Sequence, residues 1–199
     1  MSKPTLQFWF EFGSTYTYLS VMRIEALADA AGVSLAWKPF LLMPVLKHLG
    51  VDNPFTTNTA KGAYMWADLM RRAEALDIPI RRPSVYPPNS LVTARVAWLG
   101  IDESWGVAFT KEAFRQHWLN DVIIGTDENT QASLLAAEQN PTAALTRARS
   151  EANKEALRAQ TQQAIAFGLF GSPSFVADGE LFWGDDRLEE ALKRATEQR

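Results

Sequence analysis

The chain has 199 residues, of which 47% are hydrophobic and 22% charged, with a net charge of −3; that balance describes a folded domain with a sizeable interior and offers no electrostatic target to nucleic acid or an anionic membrane. Cysteine is absent and histidine occurs twice, as His48 and His117, which excludes disulfides, Cys-x-x-Cys redox chemistry and a histidine-rich metal site, so no metal is expected. No run approaches the roughly 20 apolar residues of a membrane span. The first ten residues lack a signal-peptide core because Gln7 and then Glu11 interrupt the apolar run, so a cytoplasmic protein is expected.

In chain order, residues 6–12 place Leu6, Phe8, Phe10 and Phe12 in strict alternation, the period of a strand. Gly13, Ser14 and Thr15 break it, and 16–31 reads as a helix closed by Gly32. Residues 33–42 alternate again and form a second strand, which a crossover helix makes parallel to the first. Pro44 suits a helix's first turn and Gly50 ends that helix. Segment 59–76 carries apolar residues at 65, 69, 73 and 76, one buried helix face. Its opposite face groups Lys61, Tyr64, Asp68 and Arg71, with Asp68 pairing Arg71 or Arg72. Three prolines make 81–89 an extended loop. Helices follow over 90–99, 104–119 and 130–139, another opens at Pro141, and 151–167 is a long one. Asp178 and Gly179 between two apolar runs signal a hairpin. Asp185 and Asp186 then precede a short amphipathic helix, acids at its positive end. The two histidines are read as surface or partly buried. The fold class is α/β, in the order β-α-β, helices, α-β-β-α.

Three motifs stand out. Segment 10–19 reads Phe-Glu-Phe-Gly-Ser-Thr-Tyr-Thr-Tyr-Leu. Its Ser14 sits between strand and helix, where backbone N–H groups and the helix dipole favour an anion; a plain helix N-cap is the alternative. Residues 50–54 read Gly-Val-Asp-Asn-Pro and 60–65 read Ala-Lys-Gly-Ala-Tyr-Met. Segment 167–188 reads Phe-Gly-Leu-Phe-Gly-Ser-Pro-Ser-Phe-Val-Ala-Asp-Gly-Glu-Leu-Phe-Trp-Gly-Asp-Asp-Arg-Leu.

With these motifs the chain resembles, nearly end to end, the DsbA-like branch of the thioredoxin superfamily. Within it, the resemblance is to 2-hydroxychromene-2-carboxylate isomerases and their relatives, the kappa-class glutathione transferases. It implies a thioredoxin-like core, 1–42 and 151–199, with an all-helical domain, 43–150, inserted after the second strand. It also implies a glutathione-dependent isomerase interconverting 2-hydroxychromene-2-carboxylate-type substrates and trans-o-hydroxybenzylidenepyruvate through a transient glutathione adduct. Catalytic residues on this resemblance are Ser14, which takes the place of the first redox cysteine, with Lys61 and Asn53. Glutathione is held by Ser14, Asn53, Lys61, Ser172, Pro173, Asp185 and Asp186. Pro173 matches the cis proline that turns the Ser172 backbone toward a peptide ligand, and the two acids match positions meeting the γ-glutamyl end. Asn89 fits a further recurrent position, and Trp9, Tyr16 or Trp183 could line a flat substrate slot. Two departures are noted: Thr15 where proline is usual, and Ser172 where an apolar residue is usual. The implied partners are a small aromatic-derived acid and a second copy of the chain, with no nucleic acid and no membrane. A transferase conjugating electrophiles, or a non-catalytic thioredoxin-fold module, are the competing readings.

Overall fold

The computed structural model describes residues 3–53 and 57–197; Pro54 of the second motif lies outside them. Strand β1 (Thr5–Phe10) leads into helix α1 (Thr15–Ala31) and strand β2 (Ser34–Pro39). Helices α2 (Leu42–Leu49), α3 (Thr59–Ala75), α4 (Leu91–Ile101), α5 (Gly106–Asn120), α6 (Asp127–Ala136), α7 (Pro141–Ala148) and α8 (Glu151–Phe167) follow. The hairpin β3 (Ser174–Ala177) and β4 (Glu180–Trp183) comes next, then a 3-10 turn (Asp185–Arg187) and α9 (Leu188–Thr196). The four strands lie in the order β2-β1-β3-β4. β1 runs parallel to β2, with Phe8 beside Trp37, and antiparallel to β3, with Phe8 beside Phe175.

Alternation along β1 divides the interior. Leu6, Phe8 and Phe10 face one apolar cluster, and Trp9 faces a second with Phe40, Val45, Ala164, Leu169 and Val176. Trp9 is therefore a core residue and not part of a substrate slot. In the first cluster Phe8 stacks on Phe175 at 5.4 Å and meets the edge of Trp37 at 5.0 Å. The rings continue past the sheet: Phe12 stacks on Phe114 at 5.1 Å, and Tyr18 on Trp118 at 5.4 Å. One apolar body thus joins the sheet, α1 and the inserted helix α5. Truncating a ring this enclosed costs roughly 3–5 kcal/mol.

Element boundaries shift where capping outweighs apolar periodicity. The helix expected over 130–139 begins at Asp127, not Thr130, because the Thr126 side chain accepts the Asn129 N–H. The helix expected from Ser104 begins at Gly106, since Ser104 sits in the left-handed region at φ 67°.

His117 is a correction. Expected at the surface or partly buried, it is 1% exposed, because it lies on the inward face of α5 with its ring edge against Trp118. Its Nδ1 accepts the Ile124 N–H at 3.3 Å. Burial pushes its pKa down to about 4, against the opposing pull of Asp121. An unfolded histidine titrates near ~6.5, so between the two values the unfolded chain binds a proton that the folded chain rejects. Stability is then full above about pH 6.5 and falls, by about 3 kcal/mol from this ring, as pH drops toward 4. Urea denaturation at pH 7, 5.5 and 4.5 measures this, and a His117→Asn variant, which keeps an acceptor, loses that share of the slope.

Candidate active site

The site grows from the place where β1 ends and α1 begins. Ser14 occupies the N-cap position of α1 with extended backbone, yet its side chain caps nothing. Its hydroxyl donates instead to the Ser172 carbonyl at 2.6 Å. Ser172 precedes Pro173 across a cis peptide bond, so the two ends of the chain meet here. The plain helix-cap alternative for Ser14 is thereby excluded.

The Ser172 side chain is a structural piece in its own right. Its buried Oγ accepts the Glu11 N–H at 2.9 Å and shares a hydrogen bond with the Thr17 hydroxyl at 2.8 Å. An apolar residue could make neither bond. Pro173 is enclosed, and its carbonyl accepts the Gly184 N–H at 3.0 Å.

Behind Ser14 lies a residue that sequence reasoning missed. Glu11 is buried, and its Oε2 accepts the Gly13 N–H at 2.8 Å while its Oε1 takes the Ser90 hydroxyl. Burial pushes this carboxyl above the usual range, with the bonds from Ser90, Gly13 and Ser14 opposing it. The signal available was a charged residue in the expected strand 6–12, whose other side chains are aromatic or apolar apart from Gln7.

Asn53 hydrogen-bonds the Tyr86 hydroxyl, whose pKa burial raises to about 12 despite that bond, with the Glu11 charge adding to the rise. Tyr86 also touches Met65 sulfur at 3.7 Å and meets Trp66 edge-on at 5.1 Å. Lys61 stands in the first turn of α3, its backbone N–H capped by Asn58 at 2.9 Å. Its side chain is exposed and forms no ion pair among the described residues. Tyr64 shares that exposed face, and Asp68 accepts the Tyr16 hydroxyl at 2.8 Å besides pairing Arg71 at 3.4 Å. Burial and then Asp68 hold the Tyr16 phenol well above its usual pKa. Asn89 folds its side chain back onto the Leu91 N–H at 3.3 Å, a local turn.

The two acids expected to meet a ligand differ. Asp185 is 1% exposed. Its carboxylate takes Arg72 at 2.7 Å, Arg23 at 3.0 Å and the Ser20 hydroxyl at 2.9 Å. Such a group has no free face, so its work is to pin the 3-10 turn to α1 and α3. Asp186, next along, is exposed and pairs with its neighbour Arg187 at 3.5 Å. Gly184 permits this: it lies at φ 110°, and a Cβ there would stand 2.5 Å from Asp186 Oδ1. Gly171 likewise yields to the Trp183 indole, 2.1 Å from where its Cβ would be. Trp183 is half exposed and packs on Phe170 at 4.9 Å.

A parallel β-α-β unit, a hairpin entered through a cis proline, and a polar side chain facing that proline define a thioredoxin-type site. A family model for the DSBA-like thioredoxin domain matches residues 5–195, and the chain belongs to that family. More particularly, it is 27% identical over 190 residues to the 2-hydroxychromene-2-carboxylate isomerase of Sphingobium xenophagum, covering 93% of this chain and 94% of that one. It is 24% identical over 199 residues to glutathione S-transferase kappa 1 of Caenorhabditis elegans, covering 93% and 88%. A solved structure of a 2-hydroxychromene-2-carboxylate isomerase superposes with a TM-score of 0.87 at 26% identity, covering 98% of this chain and 97% of that one. No helix among the described residues is long and apolar enough to cross a membrane.

The Asp185 cluster yields a test. Asp185→Ala takes the ion-pair partner from Arg72, leaves Arg23 with Glu189 alone and strands the Ser20 hydroxyl, and lowers stability by about 2–3 kcal/mol in urea denaturation. Asp186→Ala changes it by less than about 0.5 kcal/mol. Equal losses would contradict the division of labour.

Proposed function

We propose that this chain is a glutathione-dependent isomerase interconverting 2-hydroxychromene-2-carboxylate-type acids and trans-o-hydroxybenzylidenepyruvate. One observation carries the reading: at the start of α1, the uncapping Ser14 hydroxyl points across to the residue before the cis proline. The names of the relatives supply the substrate class.

The residues present suit a tripeptide thiol. With no cysteine in the chain, any sulfur chemistry needs an external thiol, and Ser14 stands where its sulfur would be met. The Ser172 carbonyl retains a second lone pair for a peptide N–H. Asp186 is placed for the ammonium of a γ-glutamyl end, and Asp185 serves that end only by holding the turn. When bound, glutathione supplies a nucleophilic thiol that adds reversibly to a conjugated carbon.

The remaining steps belong to the protein. A rotation about the Ser14 Cα–Cβ bond moves its hydroxyl from the Ser172 carbonyl to a neighbouring anion, where it donates and favours the thiolate form. Lys61, with no ion pair among the described residues, brings positive charge to an anionic substrate, and Asn53 with Tyr86 offers donors to oxygen as negative charge develops. The reading takes the working form as a cytoplasmic homodimer, in keeping with the lack of cysteine and the exposed Phe170 and Trp183.

A kappa-class-like transferase is the second reading, favoured by the kappa relative. Product analysis with excess glutathione separates the two: recovery of glutathione with isomerised acid supports isomerisation, and a stable conjugate supports transfer. Glutathione at ~100 times its dissociation constant adds ~2.7 kcal/mol of stability, and a missing thermal shift removes both readings. Ser14→Ala slows turnover and moves the pH–rate profile to higher pH, while Asp186→Ala raises KM for glutathione more than it lowers kcat.

A further inference from the structure

Glu11 has no part in the chemistry above, yet the site is assembled around it. Four separate contacts converge on this one residue. Its carboxylate takes the Gly13 N–H and the Ser90 hydroxyl. Its backbone carbonyl accepts the Ser14 N–H at 3.3 Å, and its own N–H donates to Ser172 Oγ at 2.9 Å. Through these bonds it touches the end of β1, the start of α1, the residue before the cis proline and the residue before α4. A Cβ on Gly13 would lie 3.0 Å from Glu11 Oε2, so the loop is drawn tightly over the carboxyl group.

Burying an acid costs several kcal/mol unless its bonds compensate. A neutral, apolar residue would serve the fold of β1 at lower cost, as Phe8 and Phe10 do. What such a residue could not do is hold the 11–14 loop from below and tie it to the inserted helices at Ser90. The titratable neighbour facing Glu11 is Tyr86, on the loop before α4.

We propose that Glu11 is a positioning residue for Ser14: its buried carboxyl group fixes the 11–14 loop so that the side chain at position 14 is held at the opening of α1, across from the Ser172 carbonyl. The proposal rests on the reading above in taking position 14 as the reacting position, and its test needs no glutathione.

Since the chain contains no cysteine, Ser14→Cys installs a single thiol whose ionisation can be followed by thiolate absorbance and by alkylation rate against pH. With Glu11 in place that thiol titrates below the ordinary value of about 8.5. Adding Glu11→Ala raises it by about one unit, a tenfold loss of thiolate at a given pH. Adding Glu11→Gln, which keeps an acceptor for Gly13 and a donor for Ser90, leaves it unchanged or slightly lower, because only a negative charge is removed. Ser90→Ala gives a smaller rise and serves where the Glu11→Ala protein does not fold. Equal values in all four proteins, or equal falls in the Gln and Ala variants, would overturn the proposal. Calorimetric titration of the unsubstituted chain with glutathione runs beside it. Absence of binding there removes the functional reading and leaves the thiol result standing; binding without the thiol shifts removes the role of Glu11.

Discussion

Ser172 is the point on which the rest of the site depends. Its carbonyl receives the Ser14 hydroxyl, while its own hydroxyl bonds to the Glu11 N–H and to Thr17. Two segments more than 150 residues apart, 11–17 and Ser172, are held in one small polar knot. Because the knot is buried, each bond in it is stronger than in water, and each lost bond would strand a polar group. The peptide before Pro173 and the first turn of α1 consequently cannot drift apart without breaking several bonds together.

The aromatic core makes this knot possible. Phe8, Phe10, Phe12 and Phe175 fill the space beneath the sheet, and their stacking runs on through Phe114 to Trp118 and Tyr18. The sheet and the inserted helices therefore present the site from a common body. Packed interiors of this kind move little, which suits a site whose parts come from β1, α1, α3 and the β3 turn. A second anchor, Asp185 beneath Arg23 and Arg72, fixes the far end of the site. It leaves Asp186 at the surface, so adjacent and chemically identical side chains take opposite roles: one is structural, the other faces solvent.

Membership of the DSBA-like family joins this geometry to the functional reading. The scaffold supplies a cis proline, a helix start and a polar side chain between them. In a chain without cysteine, such a scaffold has no thiol of its own, and the proposed function takes the thiol from a bound peptide.

Local pattern decided much of the outcome. The alternation of Leu6, Phe8 and Phe10 determined β1, the Asp178–Gly179 pair determined the hairpin, and the spacing of Met65, Leu69 and Ala73 determined the buried face of α3. Each depends on neighbours a few residues away, which a sequence displays directly. The motif around Ser14 and that around Pro173 were also legible, although only resemblance joined them. What the sequence could not show was which polar atoms would be consumed by the fold. Asp185 and Asp186 look alike in the chain, and only the approach of Arg23 and Arg72 from distant helices makes one a buried anchor. Ser172 was only a departure from an apolar residue until the Glu11 N–H and the Thr17 hydroxyl met its side chain. Glu11 and His117 were ordinary polar residues until tertiary packing enclosed them. Ser14, by local pattern a helix cap before an anion site, has its hydroxyl drawn off the helix by a carbonyl 158 residues away. Burial and hydrogen bonding are properties of surroundings, and those surroundings exist only once the chain has folded.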